Sequence, residues 1–225
     1  MQQKEIKNFT IEELKEEMEK IKVPPYRAEQ VFFWLYRKGI NDFKYMYNIP
    51  EALRDTLCRF FCVGTIKLKE KLKSIDGTEK FLFELSDGNF IETVLIYSGK
   101  RKTICVSTQV GCKYACAFCA SGMKGFIRDL CPSEIVEQVL FLQQAFDHQT
   151  TNIVFMGIGE PLDNYENLAK AIEIMNCPQG MRIGARRFTV STCGVIPGIE
   201  KLKDMGIQVN LSLSLHATND RLRSC

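Results

Sequence analysis

No run of about eighteen apolar residues occurs in the chain, so a membrane-spanning helix is not expected. A cleavable leader is not expected either, because the opening stretch MQQKEIKNFTIEELKEEMEK is a charged helical pattern without an apolar core. Low-complexity tracts are missing, and 45% hydrophobic with 25% charged residues is the composition of a soluble globular protein. The compartment expected from these absences is the cytoplasm, with no membrane partner. Excess charge of one sign is small: 30 Lys and Arg face 27 Asp and Glu, and a net of +3 does not by itself announce nucleic acid. Histidine is nearly absent, with His148 and His216 far apart in sequence. Cysteine is the exception, yet ten in 225 residues fall well short of the roughly 8–10% that marks a disulfide scaffold, and a reducing cytosol keeps thiols free.

What is present reads as three stretches in a chain long enough for a small domain followed by a larger one. Residues 1–63 are expected to be a helical domain. Ile11, Leu14 and Met18 recur at helical spacing, and PPYRAEQVFFWLYRKG opens at Pro25 and closes at Gly39. The aromatic cluster Phe32, Phe33, Trp34 and Tyr36 within it reads as core rather than as a base-stacking surface. Residues 64–103 form a β linker, where SIDGTEKFLFEL and SDGNFIETVLIY carry hairpin turn signals ahead of alternating apolar residues. The basic stretches KLKEKLK, GKRK and RIGARR each read first as a solvated face and second as a phosphate contact.

Residues 104–225 repeat strand and helix, the pattern of a parallel α/β sheet or part of a barrel. Pro132 starts a helix with Ile135, Val139, Leu142 and Phe146 on one face; TNIVFMG, RRFTVST and QVNLSLSLH read as strands, with helices near 165–176 and 197–205. In such folds ligands sit beyond the carboxyl ends of the strands. Gly157, Gly159, Glu160, Ser191, Ser214, Leu215 and His216 stand there, and their recurrence at successive strand ends points to a site.

The segment VGCKYACAFCASG places Cys112, Cys116 and Cys119 in a C-x3-C-x2-C pattern. Structural zinc asks for four ligands, usually in two pairs. Three thiolates with an open position suit an iron–sulfur cluster better. The pattern CKYACAFC, with Phe118 before its last cysteine, resembles the signature of the radical S-adenosylmethionine (SAM) enzymes. Together with MGIGEPLDNYENL, RRFTVSTCGVIPGI and SLSLHATNDRLRS it is similar to the RlmN/Cfr family, which methylates adenine in RNA at a ring carbon, and PPYRAEQVFFWLYRKGI resembles that family's N-terminal domain.

The resemblance implies an α/β fold: a partial radical-SAM (βα) barrel behind a small helical, RNA-binding accessory domain and a short antiparallel segment. It implies a [4Fe–4S] cluster on Cys112, Cys116 and Cys119, with SAM on the iron that lacks a protein ligand. It implies SAM contacts at Phe118, Gly159, Glu160, Ser191, Ser214, Leu215 and His216, a resolving cysteine at Cys105 that forms a disulfide with a methyl-carrying cysteine, and a proton-accepting carboxylate at Glu92. Read without the family, Cys105 is a buried strand residue and Glu92 a solvent-facing one. The implied reaction adds a methyl group to carbon-2 of an adenine in 23S ribosomal RNA, with transfer RNA as a further substrate, through a methyl-cysteine intermediate. The implied electron donor is flavodoxin or ferredoxin, and the expected state is a monomer. In the family the stretch NDRLRSC is followed by more barrel, so the expectation is a fragment that lacks the methyl carrier and is inactive alone; Cys225 does not match the carrier. Two rivals stay open at this point: a Cfr-like enzyme acting at carbon-8, and a non-catalytic metal- or RNA-binding module.

Overall fold

A computed structural model describes residues 3–64, 66–123, 125–145, 151–219 and 221. The chain runs β1 (Lys4–Glu5), α1 (Ile11–Lys20), α2 (Tyr26–Tyr36), α3 (Glu51–Phe60), β2 (Phe61–Cys62), then β3 (Ile66–Lys73), β4 (Glu79–Leu85), β5 (Phe90–Ser98) and β6 (Arg101–Cys105). It continues through β7 (Gln109–Gly111), β8 (Phe126–Asp129), α4 (Pro132–Ala145), β9 (Asn152–Phe155), α5 (Tyr165–Asn176), β10 (Phe188–Thr192), α6 (Ile196–Lys203) and β11 (Asn210–Leu213).

Local chemistry sets the N-terminal helices. Thr10 accepts from the Glu13 amide while the Glu13 carboxylate accepts from the Thr10 amide, a capping box that starts α1. Its buried face is Leu14 and Met18, with Ile11 half-buried, as the spacing predicts. Phe32 and Tyr36 of α2 are core, but Phe33 of the same cluster is exposed, because i and i+1 cannot share a helix face. The domain is not wholly helical: β1 pairs with β2 in parallel, Lys4 opposite Phe61 and Glu5 opposite Cys62. Pairs this short carry no periodic signal, since they are set by contacts distant in sequence.

The hairpin signals fold as their turn chemistry dictates. Gly77 (φ 89°) and Gly88 (φ 81°) take left-handed conformations that favour glycine at the β3–β4 and β4–β5 turns. The antiparallel run does not end in a separate unit. β6 pairs antiparallel with β5 and parallel with β9, so one seven-stranded sheet runs β11-β10-β9-β6-β5-β4-β3. Four parallel strands occupy one side of it, an open partial barrel among the described residues. Ile135, Val139 and Leu142 of α4 are buried as expected, and Phe146 lies outside the described residues.

One continuous core joins the N-terminal helices to the sheet. Lys7, fully buried, donates to the Glu137 carboxylate of α4 and to Asn41. The Ser133 amide at the start of α4 donates to Asn8 at 2.9 Å, and Lys170 of α5 pairs with Glu13 at 2.6 Å. Among the described residues, no helix is long and apolar enough to cross a membrane.

Candidate functional site

Strand alternation gives the sheet two faces. Ile91, Thr93, Leu95, Ile104, Ile153 and Val190 are buried on one of them. Their alternates, Glu92, Val94, Cys105, Val154, Thr189 and Ser191, share the other, which is half-exposed. Registry aligns Val94, Cys105, Val154 and Thr189 in one row across four strands. The sheet thus puts Cys105 and Glu92 on the same face as Ser191. Burial pushes the Cys105 thiol up to about 11. Glu92 pairs with Lys80 of the neighbouring strand at 2.9 Å.

Beyond the strand ends, buried amides and hydroxyls hold the loops. Gln138 of α4 accepts from the Ser107 amide at 2.9 Å and from the Thr93 hydroxyl at 2.8 Å. The Ser107 hydroxyl donates to the Glu92 carbonyl at 2.6 Å and accepts from the Ile158 amide at 3.0 Å. Asn164 donates to the carbonyls of Thr108 and Leu130, each at 2.8 Å. Gln109 accepts from the Glu160 amide at 2.9 Å and donates to Asp129 at 2.8 Å. Backbone and side chain come so close here that a Cβ on Gly159 (φ 103°) would stand 2.5 Å from the Cβ of Gln109. The sequence does not single out these clamps, because nothing marks an isolated Gln or Asn as buried.

Glu160 is buried and both its oxygens are engaged. Oε1 accepts from the Leu162 amide at 3.0 Å and Oε2 from the Cys193 amide at 2.8 Å, so the carboxylate ties the loop after β9 to the loop after β10. The hydroxyls of Ser191 and Ser214 lie 3.2 Å apart, linking β10 to the segment after β11.

The cysteine segment leaves a short hairpin, β7 against β8, that no pattern in the sequence announces. Gly111 (φ 76°) approaches Gly125 so closely that a Cβ would fall 1.8 Å from the Gly125 carbonyl oxygen, and the Cys112 amide donates to that oxygen at 3.1 Å. Ala115 takes a left-handed conformation (φ 45°), and the Cys119 amide donates to the Cys116 carbonyl at 2.9 Å. Lys113 pins the loop to Asp163 at 2.8 Å.

One cavity of about 290 Å³ gathers most of the residues named from the sequence: Cys112, Cys116, Phe118, Cys119, Gly159, Glu160, Ser191, Ser214 and His216. Tyr114, Gly157 and Cys193 also line it. Leu215, Cys105 and Glu92 do not line it. His216 is exposed, and its ring lies 4.6 Å from that of Phe118 with the planes tilted by 49°. Burial, followed by the Glu160 carboxylate, pushes the Cys193 thiol up to about 12. Among the described residues, no three His, Cys, Asp or Glu side chains stand close enough to hold a single metal ion. A cubane cluster makes a different demand, with each thiolate on its own iron, and three thiols on one loop around a shared cavity fit it by donor chemistry.

Comparisons with known proteins agree with one another. The family model of the Radical SAM superfamily matches residues 106–224, and that of the ribosomal RNA large subunit methyltransferase N-terminal domain matches residues 4–63. The chain is 48% identical over 219 residues to a probable dual-specificity RNA methyltransferase RlmN of Clostridioides difficile (strain 630), covering 97% of this chain and 64% of that protein. It is 47% identical over 222 residues to the protein of the same description from Geobacillus kaustophilus (strain HTA426), covering 97% and 61%. The crystal structure of a radical SAM methyltransferase from Sphaerobacter thermophilus superposes with a TM-score of 0.92 at 42% identity, covering 98% of this chain and 66% of that one. The chain therefore spans a little under two thirds of the length of these relatives.

Proposed function

Because the chain belongs to the radical SAM superfamily, on its RlmN branch, we propose that it holds a [4Fe–4S] cluster and SAM and methylates carbon-2 of an adenine in large-subunit ribosomal RNA, with transfer RNA as a second substrate. The observation that carries this reading is the convergence of Cys112, Cys116 and Cys119 with the strand-end residues Gly159, Glu160, Ser191, Ser214 and His216 on one cavity. When bound, the cluster and SAM supply a reductive bond cleavage that opens radical chemistry at a ring carbon too electron-poor to attack a methyl group.

The protein's own groups have separable tasks in this reading. Cys112, Cys116 and Cys119 are the ligands. Glu160 fixes the two loops whose backbone borders the cavity and so acts as a positioning residue, while Gly157 and Gly159 keep that backbone clear of side chains. Ser191 and Ser214 offer paired hydroxyls, and Phe118 and His216 offer ring faces. Leu215 stands between the lining residues Ser214 and His216, beside the cavity. Cys105, with its thiol raised by burial, is assigned the role of resolving cysteine, and Glu92, on the same sheet face and held by Lys80, that of a proton-accepting carboxylate. The methyl group is carried on a cysteine that no residue of this chain matches. Residues 1–63 serve RNA recognition, 64–103 link, and 104–225 hold the cofactors. A cytoplasmic setting with flavodoxin or ferredoxin as electron donor accompanies this chemistry.

The test is mass spectrometry of ribosomal RNA from cells that lack their own adenine methylation at this site and express the full-length gene, with its methyl-carrying cysteine. The expected product is 2-methyladenosine. Finding 8-methyladenosine alone, or no methylated adenosine, would overturn the assignment.

A further inference from the structure

The exposed half of the aromatic cluster on α2 does not belong to the cavity just described. Phe33, Trp34, Tyr47 and Tyr45 form a continuous row with ring centroids 6.4, 6.2 and 6.4 Å apart, each pair edge to face. Three of these rings are solvent-exposed, Tyr47 at 75%. Large rings in such a row are uncommon on a surface with nothing to bind. Cations lie over the row's end rings: Lys38 over Phe33 at 5.8 Å and Lys44 over Tyr45 at 4.8 Å. Arg27 lies over the neighbouring Tyr26 at 4.9 Å.

Beside the row is a cavity of about 400 Å³, a size typical of small-ligand sites. Its walls are the rings of Tyr26 and Phe33, and its polar lining is Gln30, Asn48 and Gln179 together with the carboxylate of Glu29. Gln179 comes from the loop after α5, so the cavity spans the junction of the N-terminal helices with the sheet domain. Ring walls with side-chain amides between them are suited to a nucleobase, which presents two π-faces and an edge of donors and acceptors.

Charge selects among partners. Residues 22–48 carry five cations (Lys22, Arg27, Arg37, Lys38 and Lys44) and two anions (Glu29 and Asp42), a net of +3 that equals the net charge of the whole chain. Asp42 engages Lys44 at 2.8 Å, and Lys15 engages Glu29 at 3.5 Å. Stacking rings interleaved with cations are how unpaired RNA is held, with bases on the rings and phosphates on the basic side chains.

We propose that the ring row of Phe33, Trp34, Tyr47 and Tyr45, with the cavity between Tyr26 and Phe33, is a docking surface for an unpaired RNA segment. One base enters the cavity and its neighbours stack along the row. The inference rests on the reading above only in taking RNA as the partner. It names a surface apart from the cluster cavity.

Trp34 is the chain's single tryptophan, so its fluorescence reports on this row alone. The experiment titrates the full chain with a fluorescein-labelled twelve-nucleotide single-stranded RNA of mixed sequence and with a blunt RNA duplex, following anisotropy and, with unlabelled RNA, Trp34 emission. The single strand is expected to quench Trp34 and to bind more tightly than the duplex. Tyr47→Ala is expected to weaken the single strand by roughly 5-fold or more, the loss of one stacking platform, while Tyr47→Phe retains affinity. Lys38→Ala with Lys44→Ala is expected to flatten the salt dependence by roughly 0.7 for each phosphate that is no longer neutralised. Absence of quenching, or unchanged affinity in both Tyr47→Ala and Phe33→Ala, overturns the proposal, as does binding of neither RNA. Circular dichroism checks that the variants fold, and SAM cleavage by the cluster-loaded chain is measured in parallel, so failure of the surface and failure of the catalytic reading are told apart.

Discussion

Replacing Glu160 with Gln tests whether the strand-end loops are held by one buried carboxylate. The wild-type group accepts the Leu162 amide at 3.0 Å and the Cys193 amide at 2.8 Å, one on each oxygen. An amide of the same shape has one acceptor, so its NH2 must face one of the two backbone N–H groups. The cost is one charge-assisted hydrogen bond, roughly 1.5–3 kcal/mol, together with part of the penalty for a buried donor left unpaired, for a total of about 3 kcal/mol. For a chain of this size each kcal/mol moves the midpoint by roughly 2–4 °C, so thermal unfolding should fall by about 10 °C. The cysteine loop does not depend on these bonds, so iron content after anaerobic reconstitution should stay near wild type. SAM affinity, read by equilibrium dialysis, should drop, because the loops after β9 and β10 lose their tie. A variant that melts within about 1–2 °C of wild type and binds SAM normally would refute the positioning role.

Three further outcomes follow from the same structure. Lys7→Met leaves the Glu137 carboxylate buried without its partner, which should cost roughly 3–5 kcal/mol by urea unfolding, whereas Lys7→Met with Glu137→Leu should recover most of the loss; equal destabilisation in both would contradict the buried pair. Gly159→Ala forces a side chain into a backbone at φ 103° and against Gln109, a strain of roughly 1–3 kcal/mol, and should abolish SAM cleavage while iron content is kept. Burial raises Cys105 to about 11 from an ordinary 9.0. The folded state therefore favours the neutral thiol, and this contribution to stability is present below the ordinary thiol range and is lost as pH rises toward 11. Its alkylation rate, followed by mass spectrometry, should climb through about 11, and a midpoint below 9.0 would contradict the burial.

The features legible in the sequence are those written locally. The cysteine spacing, the Asp-Gly turns and the strand–helix repeat each occupy a few adjacent residues, and α5 spans the 165–176 that periodicity predicts. The strand ends differ only slightly from expectation: β10 ends at Thr192, the last residue of RRFTVST, while β11 stops at Leu213, so Ser214, Leu215 and His216 stand beyond it. What stays hidden depends on distant pairing. Nothing in Lys4 and Glu5 announces a strand whose partner is Phe61 and Cys62. The joining of β6 to β9 merges two stretches that look separate in sequence, and the buried clamps at Gln138, Ser107, Gln109 and Asn164 are legible only once their partners are in place. The aromatic stretch of α2 looks like core throughout, yet the helix divides it into a buried Phe32 and Tyr36 and an exposed Phe33.

The central claim is that three thiols and the strand-end rim form one radical SAM site. Its most direct measurement is reductive SAM cleavage by the anaerobically reconstituted, dithionite-reduced chain, quantified as 5′-deoxyadenosine beside iron content. The account requires a brown protein with about four irons that yields 5′-deoxyadenosine, and loss of both iron and product when Cys112, Cys116 and Cys119 are changed to Ala. An iron-free wild-type preparation, or product formation undiminished in the triple variant, would contradict it.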